Sequence, residues 1–283
     1  MIMTAALQAE IERHLKRKIV SFAPLSAAHN AQISRVALED GSFCVVKVAE
    51  HGLDVEAYML NYLKTKSKLP VPAVYYSNEH IIIMEYIDSH HGLDSASGRH
   101  AAELLAELHK IPADSYGLER DTLIGSLRQP NAQNKNWVDF FAQQRLLHMA
   151  GETFKENKID KKIMKQVEKL AGKLSDYIKT PHPPALVHGD VWRGNILSAG
   201  GRITAFLDPA IYYADPEIEL AFIRLLNTFD EGFFARYHEI SPIRPGFFEE
   251  RADIYGIYPL LVHTRLFGVS YVRKVQNILD RFV

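Results

Sequence analysis

Cysteine is nearly absent from this sequence of 283 residues: Cys44 stands alone, so no intrachain disulfide framework is available and the fold must hold by packing. Charge of one sign is missing too. Thirty-three Lys and Arg face 34 Asp and Glu, which leaves a net charge of −1 and offers no basic surface for nucleic acid or anionic lipid. Long hydrophobic runs are lacking: the longest, such as residues 81–84, are far too short to span a bilayer. The first twenty residues are broken by Glu10, Glu12, Arg13 and the Lys16-Arg17-Lys18 cluster, which does not suit a signal peptide. There is no internal repeat and no low-complexity segment. A cytoplasmic protein without membrane or nucleic-acid partners is expected, and its oligomeric state is left open.

What is present is 47% hydrophobic residues, enough for a substantial core. After a short helix over 4–15, alternation predicts strands over 19–22, 31–38 and 42–48, the last two joined by a turn at Glu39-Asp40-Gly41. A helix is expected over 53–63, then two strands over 73–77 and 80–86 turned at Asn78-Glu79. Beyond Asp88 the pattern becomes helical. Apolar stripes run through Ala101, Leu104, Leu105 and Leu108, through Ile163, Val167, Leu170 and Leu174, and through Ile218, Ala221, Phe222, Leu225 and Phe229. The expectation is a two-lobed α+β fold, with a small five-stranded lobe over residues 1–87 and a larger, mainly helical lobe over residues 88–283.

The stretch Leu186-Val187-His188-Gly189-Asp190-Val191-Trp192-Arg193-Gly194-Asn195-Ile196-Leu197 puts a polar loop between apolar, strand-like ends. Its spacing D-x-x-x-x-N is that of a kinase catalytic loop. Phosphoryl transfer needs one carboxylate to take the proton of the attacking hydroxyl, and separate oxygen ligands to hold Mg2+ on the ATP phosphates. Asp190 suits the first task and Asn195 part of the second. A hairpin about Gly200-Gly201 would bring Asn195 opposite Asp208, a second metal ligand. Upstream, Lys47 falls on the third predicted strand, sharing a face with Phe43 and Val45, and Glu56 on the helix after it. That order suits a phosphate-contacting lysine and the glutamate that holds it, and makes the expected fold protein-kinase-like, residues 1–87 the nucleotide-binding lobe and residues 88–283 the catalytic and substrate-binding lobe. The adenine is expected at the strand edge Met84-Glu85-Tyr86-Ile87, where backbone groups of Glu85 and Ile87 are candidates. Too few residues separate Asp208 from the helix near Pro216 for an activation segment or a peptide-docking site, so a small hydroxylated acceptor is expected. Cys44, on a central strand, reads as a buried small hydrophobe.

These residues carry a further resemblance. His188-Gly189-Asp190-Val191-Trp192-Arg193-Gly194-Asn195 resembles the H-G-D-L-W-x-G-N of the fructosamine kinase (ketosamine 3-kinase) family, within the aminoglycoside phosphotransferase and choline kinase group. Leu207-Asp208-Pro209-Ala210-Ile211-Tyr212-Tyr213 is similar to its I-D-P-A-x-Y-Y. Gln129-Pro130-Asn131, Asn136-Trp137-Val138-Asp139-Phe140-Phe141 with Arg145-Leu146, and Leu266-Phe267-Gly268 with Tyr271 extend the likeness over most of the chain. The resemblance implies ATP-dependent phosphorylation of the third hydroxyl of a ketosamine, a sugar–amine adduct, leading to its deglycation. It implies Asp190 as base, Asn195 and Asp208 as Mg2+ ligands, Lys47 and Glu56 as the phosphate-positioning pair, Ser34 in the nucleotide loop and Trp192 in the sugar–amine pocket.

The chain departs from the family twice. The nucleotide loop reads Asn30-Ala31-Gln32-Ile33-Ser34 without the usual glycine pair, which predicts weaker ATP binding. Ala214-Asp215-Pro216-Glu217 replaces the common G-H-R-E, which predicts altered electrostatics beside the metal and a drifted acceptor. Two alternatives stay open: the same chemistry on an aminoglycoside, amino alcohol or sugar, and a nucleotide-binding module without turnover. Several carboxylates in the acceptor pocket would favour a cationic acceptor.

Overall fold

The structure is a computed structural model and describes residues 5–28, 31–89 and 92–283. Five antiparallel strands form the first sheet: β1 (Ile19–Ala28), β2 (Ala31–Leu38), β3 (Phe43–Ala49), β4 (Val74–Ser77) and β5 (Ile81–Glu85), in the order β1-β2-β3-β5-β4. Alternation along β3 sends Cys44 and Val46 to one face and Val45 and Lys47 to the other. The first face packs under helix α1 (Ala5–Leu15), where Ile11, Val36, Cys44, Val46, Ile81 and Ile83 make a small core of their own. Cys44 is buried, as expected, and burial pushes its thiol up to about 11. The second face receives helix α2 (Leu53–Lys66), whose Leu53, Ala57, Leu60 and Leu63 join the main core.

β1 runs on to Ala28 rather than ending near Phe22, because β2 pairs with it along its whole length, with bulges at two points. Thr4, the first residue of the predicted opening helix, lies outside the described residues.

The remaining chain is mostly helical. Helix α3 (Ser95–Leu108) is started by a reciprocal cap in which Asp94 accepts from the Ser97 N–H. Two predicted stripes overrun their helices. The helix Lys161–Ala171 stops before Leu174, which opens a separate turn, and Glu217–Leu225 stops before Phe229 because Asn227 turns into the left-handed region, φ 48°.

Small strand pairs organise the centre: β6 (Thr122–Ile124) with β7 (Leu127–Gln129), which alternation did not show, β8 (Ala185–Val187), the expected strand-like end of the polar loop, with β11 (Tyr212–Ala214), and β9 (Ile196–Ala199) with β10 (Arg202–Phe206), the expected hairpin. Tyr62 on α2 meets Tyr213 on β11 hydroxyl to hydroxyl at 3.2 Å, tying the helix that carries Glu56 to the strand pair beneath the polar loop. Among the described residues no helix is long and apolar enough to cross a membrane.

Candidate active site

β8 delivers His188, and the chain then bends sharply through Gly189, φ 86°. A Cβ there would lie 2.1 Å from the Ala210 carbonyl oxygen, so only glycine lets this loop run against the segment after Asp208. The two are also bonded, the Ala210 N–H donating to the His188 carbonyl at 2.8 Å. Behind the loop, the Gly189 N–H donates to Glu219 Oε1 at 2.6 Å. The other oxygen of Glu219 meets His109 Nε2 at 2.8 Å, and His109 in turn meets the Tyr237 hydroxyl at 2.7 Å. Glu219 is fully buried, yet these partners hold its carboxyl below the usual range against the effect of burial. Gly189→Ala is expected to cost at least about 2 kcal/mol, from a positive φ plus overlap with backbone. The thermal midpoint should fall by roughly 5 °C or more and turnover should fall with it; an unchanged midpoint would contradict this account of the bend.

The hairpin about Gly200-Gly201 forms, both glycines at positive φ. Its register differs by one residue from the expected one: the Leu207 N–H, not Asp208, bonds the Asn195 carbonyl at 2.8 Å; arms of equal length would set Phe206 there, and a bulge between Ile203 and Ala205 advances the pairing to Leu207, one short of Asp208. Asp208 follows in the left-handed region, φ 48°.

Lys47 pairs with Ile33 on one side and Ile82 on the other, so its side chain is fixed at the sheet centre. Its Nζ lies 2.8 Å from Glu56 Oε2 and 3.0 Å from Asp208 Oδ1. Burial alone would push the ammonium down, but the two carboxylates outweigh it and hold Lys47 above its ordinary pKa. Of the two, Asp208 keeps its charge below the usual carboxylate range through Lys47, while deep burial pushes Glu56 up to about 7.

Asn195 Nδ2 donates to Asp190 Oδ2 at 2.8 Å and to the Asp190 carbonyl at 3.1 Å. Burial and then the Asp208 charge push the Asp190 carboxyl up to about 8, against the Asn195 bond. Because Asn195 donates through nitrogen, its Oδ1 is left as an acceptor, and Asp208 binds Lys47 through Oδ1 only. One carboxylate and one amide oxygen form a hard donor set suited to Mg2+, an ion that keeps waters and phosphate oxygens in its shell. Among the described residues no group of three or more His, Cys, Asp or Glu is assembled as a metal site.

These side chains line one cleft of about 470 Å³. Lys47, Glu56, Asp190, Asn195 and Asp208 stand together on its wall. The rest of its wall includes Gly52 at the start of α2, the β6–β7 turn from Leu123 to Ser126, and Val262, His263 and Phe267 late in the helix Ala252–Phe267. Trp192 is on the wall and 42% exposed, its ring lying over Gly194, where a Cβ would be 2.3 Å away.

Ser34, Glu85 and Ile87 do not line this cleft. Ser34 lies along β2 opposite Pro24 and Val46, and of β2 only Ala31 reaches the wall; Asn30 is outside the described residues. The Glu85 N–H is taken by the Ala73 carbonyl at 2.8 Å, and its side chain accepts from the Ala73 N–H.

Asp215 does not face the cleft as its sequence position suggested. It is buried, capping the Glu217 N–H at 3.0 Å and accepting from the His182 N–H at 3.0 Å, while Glu217 grips Arg251 through both oxygens. Ala214, Asp215 and Pro216 line neither cavity near Asp190, so the replaced residues bear on helix capping.

The motifs around Gln129 and Arg145 turn out to be a buried polar frame. Gln129 donates to the Ala210 carbonyl at 3.0 Å, and Arg145 bonds the Pro130 carbonyl and Asn131 while lying 3.9 Å over the Tyr212 ring. Sequence reasoning passed over Glu219, His109 and His263. The available signal for Glu219 was Glu217-Ile218-Glu219-Leu220-Ala221-Phe222-Ile223, a helix apolar on nearly every side, where an acid must be buried and partnered.

A sheet-borne lysine held by a helix glutamate, an Asp–Asn loop and a facing aspartate define a kinase-like phosphotransferase whose acceptor is an alcohol. The chain belongs to the fructosamine kinase family, whose sequence model matches residues 3–283. It is 33% identical over 245 residues to a Vibrio parahaemolyticus protein named probable ketoamine kinase, covering 82% of this chain and 81% of the relative. To the chloroplastic protein-ribulosamine 3-kinase of Oryza sativa subsp. japonica it is 34% identical over 209 residues, 71% of this chain and 58% of that one. The crystal structure of a Thermobifida fusca protein assigned as a fructosamine-3-kinase superposes with a TM-score of 0.89 at 26% identity, covering 98% of each chain. ADP-bound aminoglycoside phosphotransferase APH(2'')-Ib superposes at 0.67 with 19% identity over 98% of this chain and 97% of that one, a likeness of fold.

Proposed function

We propose that this enzyme transfers the γ-phosphoryl of ATP to the third hydroxyl of a ketosamine, with residues 1–87 holding the nucleotide and residues 88–283 the acceptor. Asp190 accepts the hydroxyl proton. Lys47, steadied by Glu56, contacts the nucleotide phosphates, Ser34 on β2 supports the loop above them, and the Glu85 carbonyl and the backbone of Ile87 bond the adenine. Asn195 and Asp208 hold Mg2+, which when bound neutralises charge on the phosphates. Trp192 lies along the sugar–amine adduct. A phosphate on carbon three, next to the carbonyl at carbon two, leaves far more readily than hydroxide: the product enolises toward carbon one and expels phosphate, and water hydrolyses the resulting imine to release the amine. The loop without glycine pairs with modest ATP affinity in this reading, and the setting is cytoplasmic.

One observation supports the ketosamine over a polycationic acceptor: among the described residues the carboxylates on the cleft wall are Glu56, Asp190 and Asp208, each bonded to Lys47 or Asn195, and no further acid lines it. The reading is tested by ADP release with Mg2+-ATP and ribulosyl-lysine, fructosyl-lysine, an aminoglycoside and choline. Turnover of a ketosamine, abolished by a chelator, is the expected result. Turnover of the aminoglycoside or choline alone would replace the acceptor class, and none at all would leave the enzyme without its proposed substrate.

A further inference from the structure

Two cavities meet at Asp190. The main cleft and a hollow of about 30 Å³ share Ile124, Asp190, Val262 and His263, so an acceptor hydroxyl placed against Asp190 occupies space that His263 also lines. His263 Nδ1 is 2.7 Å from the Pro259 carbonyl, which can only accept, so Nδ1 carries the hydrogen. Burial lowers the ring's pKa and keeps it neutral, which leaves Nε2 as a bare acceptor. The other polar side chains around the hollow are engaged: the Tyr258 hydroxyl donates to Gln129, both oxygens of Glu219 are taken, and Tyr212 lies under Arg145. His263 also belongs to an aromatic cluster, its ring 5.3 Å from Phe267 and 5.1 Å from Tyr271.

We propose that His263 is a specificity-determining residue whose Nε2 accepts a hydrogen bond from the protonated secondary amine of the acceptor, with the amine's substituent lying along the aromatic rings. The inference rests on the ketosamine reading. In a ketosamine the nitrogen is on carbon one, two carbons from the reacting hydroxyl, which matches a hydrogen-bond acceptor adjacent to the base. A neutral imidazole engages the ammonium without adding another negative charge beside Asp190 and Asp208, and the rings favour the cation through their faces. A sugar with no amine leaves Nε2 unpaired, and a polyamine brings charges for which the cleft, among the described residues, has no carboxylate beyond Glu56, Asp190 and Asp208.

Two variants and two acceptors separate this role from packing. His263→Asn retains a donor near the Pro259 carbonyl and loses the acceptor at Nε2; His263→Gln reaches the Nε2 position with its amide oxygen. The acceptors are the fructosyl adduct of benzylamine and its ether analogue, oxygen replacing the NH. For the amine, His263→Asn should lower kcat/KM by about 10- to 100-fold, chiefly through acceptor KM, with His263→Gln recovering most of it. For the ether the loss should be under about 3-fold, and KM for ATP should not move. A measurement without substitution uses 15N-labelled histidine: the His263 Nε2 resonance should shift on adding the amine and not the ether. Equal losses on both acceptors, no loss on the amine, or an unmoved resonance with a turned-over amine overturns this inference and leaves the ketosamine reading intact. Failure of the wild-type enzyme on both acceptors overturns the two together.

Discussion

Asp190→Asn is expected to lower turnover by about 10²- to 10⁴-fold while raising thermal stability. The loss follows from the role proposed for Asp190: an amide cannot take the acceptor's proton. The gain follows from its setting, since burial and the Asp208 charge push the carboxyl from 3.8 up to about 8. A folded-state pKa raised this way means that folding draws a proton onto Asp190 between those two values. The penalty is absent below about pH 4 and grows as pH rises toward 8. Asparagine is neutral throughout and can still accept the Asn195 bond. Because the carboxylate is partly open to solvent, the gain near neutral pH is discounted to on the order of 1–2 kcal/mol. Midpoints of the two proteins should therefore converge at low pH and separate as pH rises. A dead variant that melts at or below the parent at every pH would contradict the electrostatic account, and an active one the proposed role.

Lys47→Met is expected to be damaging in both respects. Among the described residues Lys47 is the one cation bonded to both Glu56 and Asp208, and removing a single partner from a buried ion pair costs about 3–5 kcal/mol because the remaining charge stays desolvated. The thermal midpoint should drop on the order of 10 °C. Activity should fall about 10²-fold or more, as for loss of one well-placed electrostatic contact to the transferring group. Adding Glu56→Gln to Lys47→Met should recover part of the stability and none of the activity, since it removes a buried acid left without its cation. Differential scanning fluorimetry and ADP release on the four proteins of this cycle make the check; equal stability of Lys47→Met and the parent would refute the pairing.

Much of this site could be read along the chain because its parts are locally specified. The period-two pattern of Phe43, Val45 and Lys47, the turn at Glu39-Asp40-Gly41 and the paired glycines at 200 and 201 depend on neighbours in sequence. They suffice to place Lys47 on β3, Glu56 on α2 and Asp208 close after the arm facing Asn195. Even so, Leu207 rather than Asp208 meets Asn195, in a register that depends on the bulge after Ile203, and a bulge has no reliable signature in alternation. Phe229 and Leu174 were assigned to helices that end before them, because apolar residues in adjoining turns can face the same core without sharing a helix.

Order and type of elements, the Asp190–Asn195 loop and the chemistry open to it were thus written in local pattern, where sterics and hydrogen bonding act between near neighbours. Which polar groups are buried, and what they meet, was decided by packing between distant segments. Lys47 and Asp208 are 161 residues apart, Glu219 and His109 are separated by 110, and neither pairing leaves a trace in periodicity. The same holds for Asp215, drawn into a helix cap away from the cleft, and for His263, whose tautomer depends on the carbonyl of Pro259 and whose place beside Asp190 depends on how its helix packs against the loop. Burial determines the charge a titratable group carries and the partner it requires, and burial exists only once the chain has closed on itself.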